Sequence, residues 1–142
     1  MSRRNTGPTP EVRQRVMERD GYVCVKCGLP VSGEPGIDYS LQHRTPRGMG
    51  GSRDPRLNLP SNLVLLCGSG TTACHGDVEA NRATARAHGY LVPRPLDPAE
   101  VPVTVTLRPE TPFSAAVTVQ LLLDDEGGHT EYEETEVDSD VH

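Results

Sequence analysis

The chain has 142 residues, 35% of them hydrophobic and 4% aromatic, with a formal net charge of −6 at pH 7. One Phe, four Tyr and no Trp supply too few large side chains for a sizeable core, so a metal or cross-link is expected to help hold the fold. No apolar run approaches the length of a membrane span, and the start Met-Ser-Arg-Arg-Asn-Thr-Gly lacks a signal peptide's apolar segment. A cytoplasmic protein with no membrane partner is expected, and in that setting its four cysteines favour thiolate metal ligands over disulfides.

Charge is unevenly placed. Residues 1–95 carry 13 Lys and Arg against 8 Asp and Glu, whereas residues 96–142 carry 1 against 12. A basic module of net +5 is therefore followed by an acidic extension of net −11. Only Lys26 among the 14 basic residues is a lysine. Arginine suits bidentate phosphate contacts, and a GC-rich genome would produce the same bias.

In chain order, residues 1–8 read as disordered. Thr9-Pro10-Glu11 then gives an N-cap, a proline in the first turn and an early acid, predicting a helix that runs to about Arg19 and stops at Asp20-Gly21. Val12 and Val16 share one face of it, with Arg13, Arg15 and Arg19 available elsewhere. Such a helix either covers a neighbouring site or reads DNA. Tyr22-Val23-Cys24-Val25-Lys26-Cys27-Gly28 places two thiols at C-x-x-C spacing in a tight turn closed by glycine, the form of a zinc knuckle. Cys67 and Cys74 supply a second pair with six residues between them. Two pairs predict a structural zinc site of four thiolates; four independent buried thiols are the alternative. A redox C-x-x-C lacks the strand-helix-strand context it needs.

After a Pro/Gly-rich connection over 29–38, residues 39–43 alternate as a short strand with Tyr39, Leu41 and His43 on one side. Residues 44–60 form a long loop rich in Gly, Pro and Arg, a length that is usually functional or disordered. Asn62 introduces an apolar run over 63–66, the second strand. Residues 75–88 are compatible with a helix closed by Gly89. A linker over 93–102 precedes two β-branched stretches, 101–107 and 116–123, that read as a hairpin. The acidic run from Glu131 has no means of packing. The domain reading is therefore a disordered start over 1–8, a folded module over 9–92, a hairpin extension over 93–129 and an acidic tail over 130–142.

The order His43, Asn62 and His75, set in Ser40-Leu41-Gln42-His43-Arg44, Ser61-Asn62-Leu63-Val64-Leu65-Leu66-Cys67 and Ala73-Cys74-His75-Gly76-Asp77-Val78-Glu79, resembles the HNH endonucleases. The likeness covers residues 12–90 and is nearest to the small HNH proteins of bacteriophages. It implies an α+β fold: a zinc-stapled ββα-metal core with an N-terminal helix, here carrying a C-terminal β-hairpin and acidic tail. It implies metal-dependent hydrolysis of DNA phosphodiesters, either nicking or double-strand cleavage, and a partnership with phage terminase in DNA packaging. The rival reading is a non-catalytic zinc-finger DNA-binding or assembly accessory protein.

Phosphodiester hydrolysis needs a base for the attacking water, a cation for the developing charge, and fixed geometry. His43 is the expected general base, since its pKa lies near neutral pH without heavy tuning. His75 is the expected ligand of a catalytic Mg²⁺ or Mn²⁺. Glu79, one helical turn on, is a second candidate ligand or else a solvated carboxylate. The resemblance gives Asn62 either a metal contact or the task of pinning the loop that orients the base. Gln42 departs from the family, which commonly has Asp or another strong ligand there; an amide oxygen is a weaker, neutral ligand for a hard cation. The Cys67 to Cys74 spacing departs too, the family's usual gap being two residues. Arg44, Arg47, Arg53, Arg56, Arg82 and Arg86 are the expected phosphate-contacting set, gripping backbone more than reading sequence.

Overall fold

The computed structural model describes residues 7–46, 54–108 and 115–133. Helix α1 is Pro10–Arg19, capped by the Thr9 hydroxyl, which accepts from the Val12 backbone N–H at 3.2 Å. Strand β1, Tyr39–His43, pairs antiparallel with β2, Leu63–Cys67, in a register that sets Tyr39 opposite Cys67 and His43 opposite Leu63. Helices α2, Ala73–Ala80, and α3, Arg82–Ala87, follow, and then an antiparallel sheet of β3, Val103–Leu107, β4, Val117–Leu123, and β5, His129–Glu131. The fold is thus mixed α+β, with three helices and two small antiparallel sheets among the described residues.

β2 is the centre of the core. Leu63, Val64, Leu65 and Leu66 are all fully buried, because both α1 and α2 pack on a strand that has only one partner strand among the described residues. Burial on both faces explains its continuous apolar run where a half-exposed strand would alternate. Its outer edge is also closed. Leu65 N–H donates to Asp20 at 2.9 Å, the Leu65 carbonyl accepts from Val25 N–H at 3.0 Å, and Arg19 reaches the Leu63 carbonyl at 2.6 Å. Arg19 is therefore an internal clamp, its side chain 1% exposed, and not the surface cation that its helical position suggests.

Expected boundaries shift in two places. Residues 75–88 do not form one helix: the chain breaks at Asn81, whose side chain donates to the Asp77 carboxylate at 2.6 Å. Short polar side chains that bond locally compete with helix continuation. The C-terminal hairpin gains a third strand, and β5 draws Thr130 and Glu131 into a sheet although they were read as the start of an unpacked tail. Residues 134–142, the rest of that tail, lie outside the described residues, as do 1–6.

Gly89 ends α3 at φ +79, and a Cβ there would collide with the Pro102 carbonyl oxygen. Gly89→Ala is therefore expected to destabilise the fold by about 2 kcal/mol or more, through a left-handed residue and a backbone clash together. Urea unfolding checks this; a loss near zero would show that the close approach to Pro102 is relieved at no cost.

The C-terminal sheet is joined to the cysteine turn by named bonds. Thr106 N–H donates to the Val25 carbonyl at 2.8 Å, the Thr106 hydroxyl to the Lys26 carbonyl at 2.7 Å, and Arg108 to the Cys27 carbonyl at 2.7 Å. Gly28, at φ +78, closes that turn and lies against the Thr106 carbonyl. No described helix is long and apolar enough to cross a membrane.

Candidate active site and metal centre

The cysteine cluster assembles from two turns. Cys24 and Cys27 sit in the loop after α1, Cys67 ends β2, and Cys74 lies in the first turn of α2. Their sulfurs all lie within 4.8 Å of one another, with Cys27 and Cys67 at 3.9 Å. A tetrahedral zinc with bonds of about 2.3 Å sets its sulfurs about 3.8 Å apart. The geometry therefore fits a structural metal such as zinc, and it is the only such group of His, Cys, Asp or Glu among the described residues. Burial pushes the Cys24 and Cys74 thiols upward. At Cys67 burial also raises, but hydrogen bonds from Cys74 and the other two thiols carry the balance downward. Four clustered thiolates repel one another, and a bound cation removes that cost. The six residues between Cys67 and Cys74 are accommodated by a turn in which the Ser69 N–H donates to the Thr72 hydroxyl at 2.8 Å.

A separate cleft of about 260 Å³ gathers His43, Gln42, His75, Glu79, Arg82 and Pro46. β1 ends at His43 and α2 starts two residues before His75, so the strand-to-helix packing brings the two imidazoles to one opening. Their hydrogen bonds set opposite tautomers. The Asn58 amide oxygen accepts from His43 Nε2 at 2.9 Å, which places that ring's proton on Nε2. Ser40 donates its one hydroxyl proton to the Gly68 carbonyl at 2.8 Å, so at 2.5 Å it accepts from His75 Nδ1. His75 Nε2 is then left with its lone pair, the form a metal ligand needs. Burial lowers the His75 pKa and nearby His43 adds to that, while Glu79 opposes it.

Asn62 is 1% exposed and pins a loop. Its amide oxygen accepts from Thr45 N–H at 2.7 Å, and its amide nitrogen donates to the carbonyls of Leu57 at 2.8 Å and Thr45 at 3.2 Å. These bonds are the ones that the loop-pinning role requires. The pinned stretch includes Asn58, so Asn62 acts on His43 through the partner that fixes the ring. Gln42, 3% exposed, donates to the His43 carbonyl at 3.0 Å. Its amide oxygen has no partner among the described residues, and the residue lines the cleft. Glu79 is held by Arg82 at 3.0 Å, so a metal taking that carboxylate would compete with a guanidinium.

The expected arginine set divides. Arg82, Arg86 and Arg56 are exposed, Arg56 being tied to Asp54 at 2.8 Å. Arg47 and Arg53 lie outside the described residues. Arg44 is a correction: it is 0% exposed and cannot reach a phosphate. Its guanidinium instead donates to four carbonyls, those of Gly89 at 2.8 Å, Ser61 at 2.8 Å, Pro98 at 2.9 Å and Val101 at 2.6 Å. Burial, with repulsion from Arg19 second, pushes its pKa down to about 9, which leaves it cationic at neutral pH.

No protein-family model, curated protein or solved structure matches the chain. Three residues that hold cleft-lining groups from behind had no signal in the sequence. Asn58 and Ser40 are ordinary polar residues until the fold sets them against His43 and His75, and Arg94 stands in the linker with its guanidinium on the Pro46 carbonyl at 3.2 Å.

Proposed function

We propose that the chain is a metal-dependent endonuclease of the HNH type that hydrolyses DNA phosphodiesters, with a structural Zn²⁺ held by Cys24, Cys27, Cys67 and Cys74. The observation that carries this is the pair of imidazoles in one cleft, each oriented by a hydrogen bond at the opposite ring nitrogen, which supports a base role for one and a ligand role for the other. His43 takes the proton of an attacking water as its oxygen bonds to phosphorus and the bond to the leaving oxygen breaks. His75 Nε2, the Glu79 carboxylate and the Gln42 amide oxygen are the groups that would hold Mg²⁺ or Mn²⁺. When bound there, such an ion would supply stabilisation of the charge that develops as the phosphodiester breaks. Asn58 keeps the base oriented, and Asn62 keeps Asn58 in place. Arg82 and Arg86 supply positive charge for the flanking backbone.

The rival reading, a DNA-binding protein that does not cut, is favoured by the neutral Gln42 and by the Glu79–Arg82 pair. The likeness to phage proteins extends the proposal to a packaging role beside terminase, which either reading would allow.

Supercoiled plasmid separates the two. Nicking or linearisation with Mg²⁺ or Mn²⁺ is expected, slowed by roughly 10²–10⁴-fold in His43→Ala with DNA binding little changed. His75→Ala should instead raise the metal concentration needed. Binding without cutting in any divalent metal selects the rival, and equal cutting by wild type and both variants overturns the residue assignment.

A further inference from the structure

We propose that a second cavity, next to the cleft, receives an unpaired nucleobase, so that the preferred substrate is DNA with single-stranded character rather than continuous duplex. This rests on the endonuclease reading and specifies its substrate. The cavity measures about 430 Å³, within the usual range for small organic groups. Its floor is built from the buried residues Thr45, Leu57, Ser61 and Asn62, and its walls include Leu59, Pro95, Leu96 and Pro98. Leu96 is 53% exposed, an apolar side chain left without cover at the wall.

Its polar groups select an uncharged guest. Asp54, Asp97 and Asp125 line it beside Arg56 and Arg94, and Arg56 is spent on Asp54, whose carboxyl it holds down at about 2. A phosphate inside would meet the remaining carboxylates and be repelled. A flat, hydrogen-bonding, uncharged ring fits such a lining: apolar faces suit the π-surface, and carboxylate oxygens accept from base amino groups. Asp97 uses one oxygen to cap the Ala99 N–H at 2.9 Å, and Asp125 uses one on the Ser61 hydroxyl. Each keeps its second oxygen without a hydrogen-bond partner among the described residues.

The cavity is also placed to serve the cleft. Thr45 on its floor is two residues from His43, at most about 7 Å of chain. Pro46 lines the cleft, and its carbonyl holds Arg94, which lines the cavity. One strand can therefore leave its phosphate near His43, pass Arg94 with the next phosphate, and turn a base inward. A paired base would first have to be unpaired and unstacked, at a cost in free energy, so an unpaired one enters in preference.

The test is fluorescence anisotropy on full-length, zinc-loaded protein without added Mg²⁺ or Mn²⁺. The probes are a labelled duplex and the same duplex carrying a short single-stranded extension. The extended form should bind about tenfold more tightly, as burial of one base face on apolar walls and its hydrogen bonds would give. Leu96→Asp, which adds a fourth carboxylate at the wall, should abolish that preference, whereas Leu29→Asp on the exposed cysteine turn should preserve it. Equal binding of both probes, or a preference that survives Leu96→Asp, overturns the base cavity and leaves the nuclease reading standing. Failure to bind either probe removes both.

Discussion

Arg44→Met is expected to destabilise the protein by about 3–5 kcal/mol, enough to leave a domain of ordinary stability partly unfolded. Methionine fills similar space but donates nothing, so the carbonyls of Ser61, Gly89, Pro98 and Val101 lose a shared donor at once. Each buried acceptor left unmet costs about 1–3 kcal/mol, and relaxation of the loops keeps the total below a simple sum. Arg44→Lys should fall between, since an ammonium keeps the charge but cannot span four directions in one plane. Urea unfolding in the presence of zinc measures both. A loss under about 1 kcal/mol for Arg44→Met would mean that the four carbonyls find water or other donors, and that the guanidinium is not the hub described.

Removal of the metal should have a larger effect still. Structural zinc binds peptides of this kind with roughly 10–16 kcal/mol, comparable to or above the whole stability of a small domain. The purified protein is expected to carry one Zn²⁺ per chain, and a chelator or Cys74→Ser should unfold or aggregate it. Cys74 sits in the first turn of α2, so its loss also releases the helix that presents His75. Metal analysis with far-UV circular dichroism decides the matter. A folded, soluble sample that contains no metal, with unchanged helix and strand signal, would refute a structural role for the cluster.

What the sequence revealed was local. Thr9-Pro10-Glu11 and Asp20-Gly21 mark both ends of α1 because caps and breakers act within a few residues. The spacing of four cysteines is equally readable, since a thiolate site needs paired turns, and the alternation over 39–43 and the apolar run over 63–66 place both strands. The errors at the site share a physical origin, contacts between segments far apart in the chain, while the break at Asn81 is a local one. Beside His43 in a loop rich in Gly, Pro and Arg, Arg44 has every local mark of a phosphate ligand. Nothing near it indicates that carbonyls from residues 61 to 101 would converge on it. Asn58 escapes a sequence reading for the same reason, since its partner is fifteen positions back, whereas Asn62 stands out by its place in the His43, Asn62, His75 order and before a strand. The break at Asn81 was missed because the Ala-rich pattern on either side of it continues in phase, and only the side-chain bond to Asp77 interrupts it.

The bonds that tie the C-terminal sheet to the cysteine turn bear on how the unit could be engineered. A fragment cut at residue 92 would keep all four cysteines, both imidazoles and the asparagines that serve them. It would also leave Arg44 facing two vacant positions where Pro98 and Val101 had accepted, and would strip Thr106 and Arg108 from the carbonyls of Val25, Lys26 and Cys27. The smallest transplantable cassette therefore ends after β5, and a fusion partner belongs beyond residue 133 rather than at the proline-rich stretch that looks like a seam.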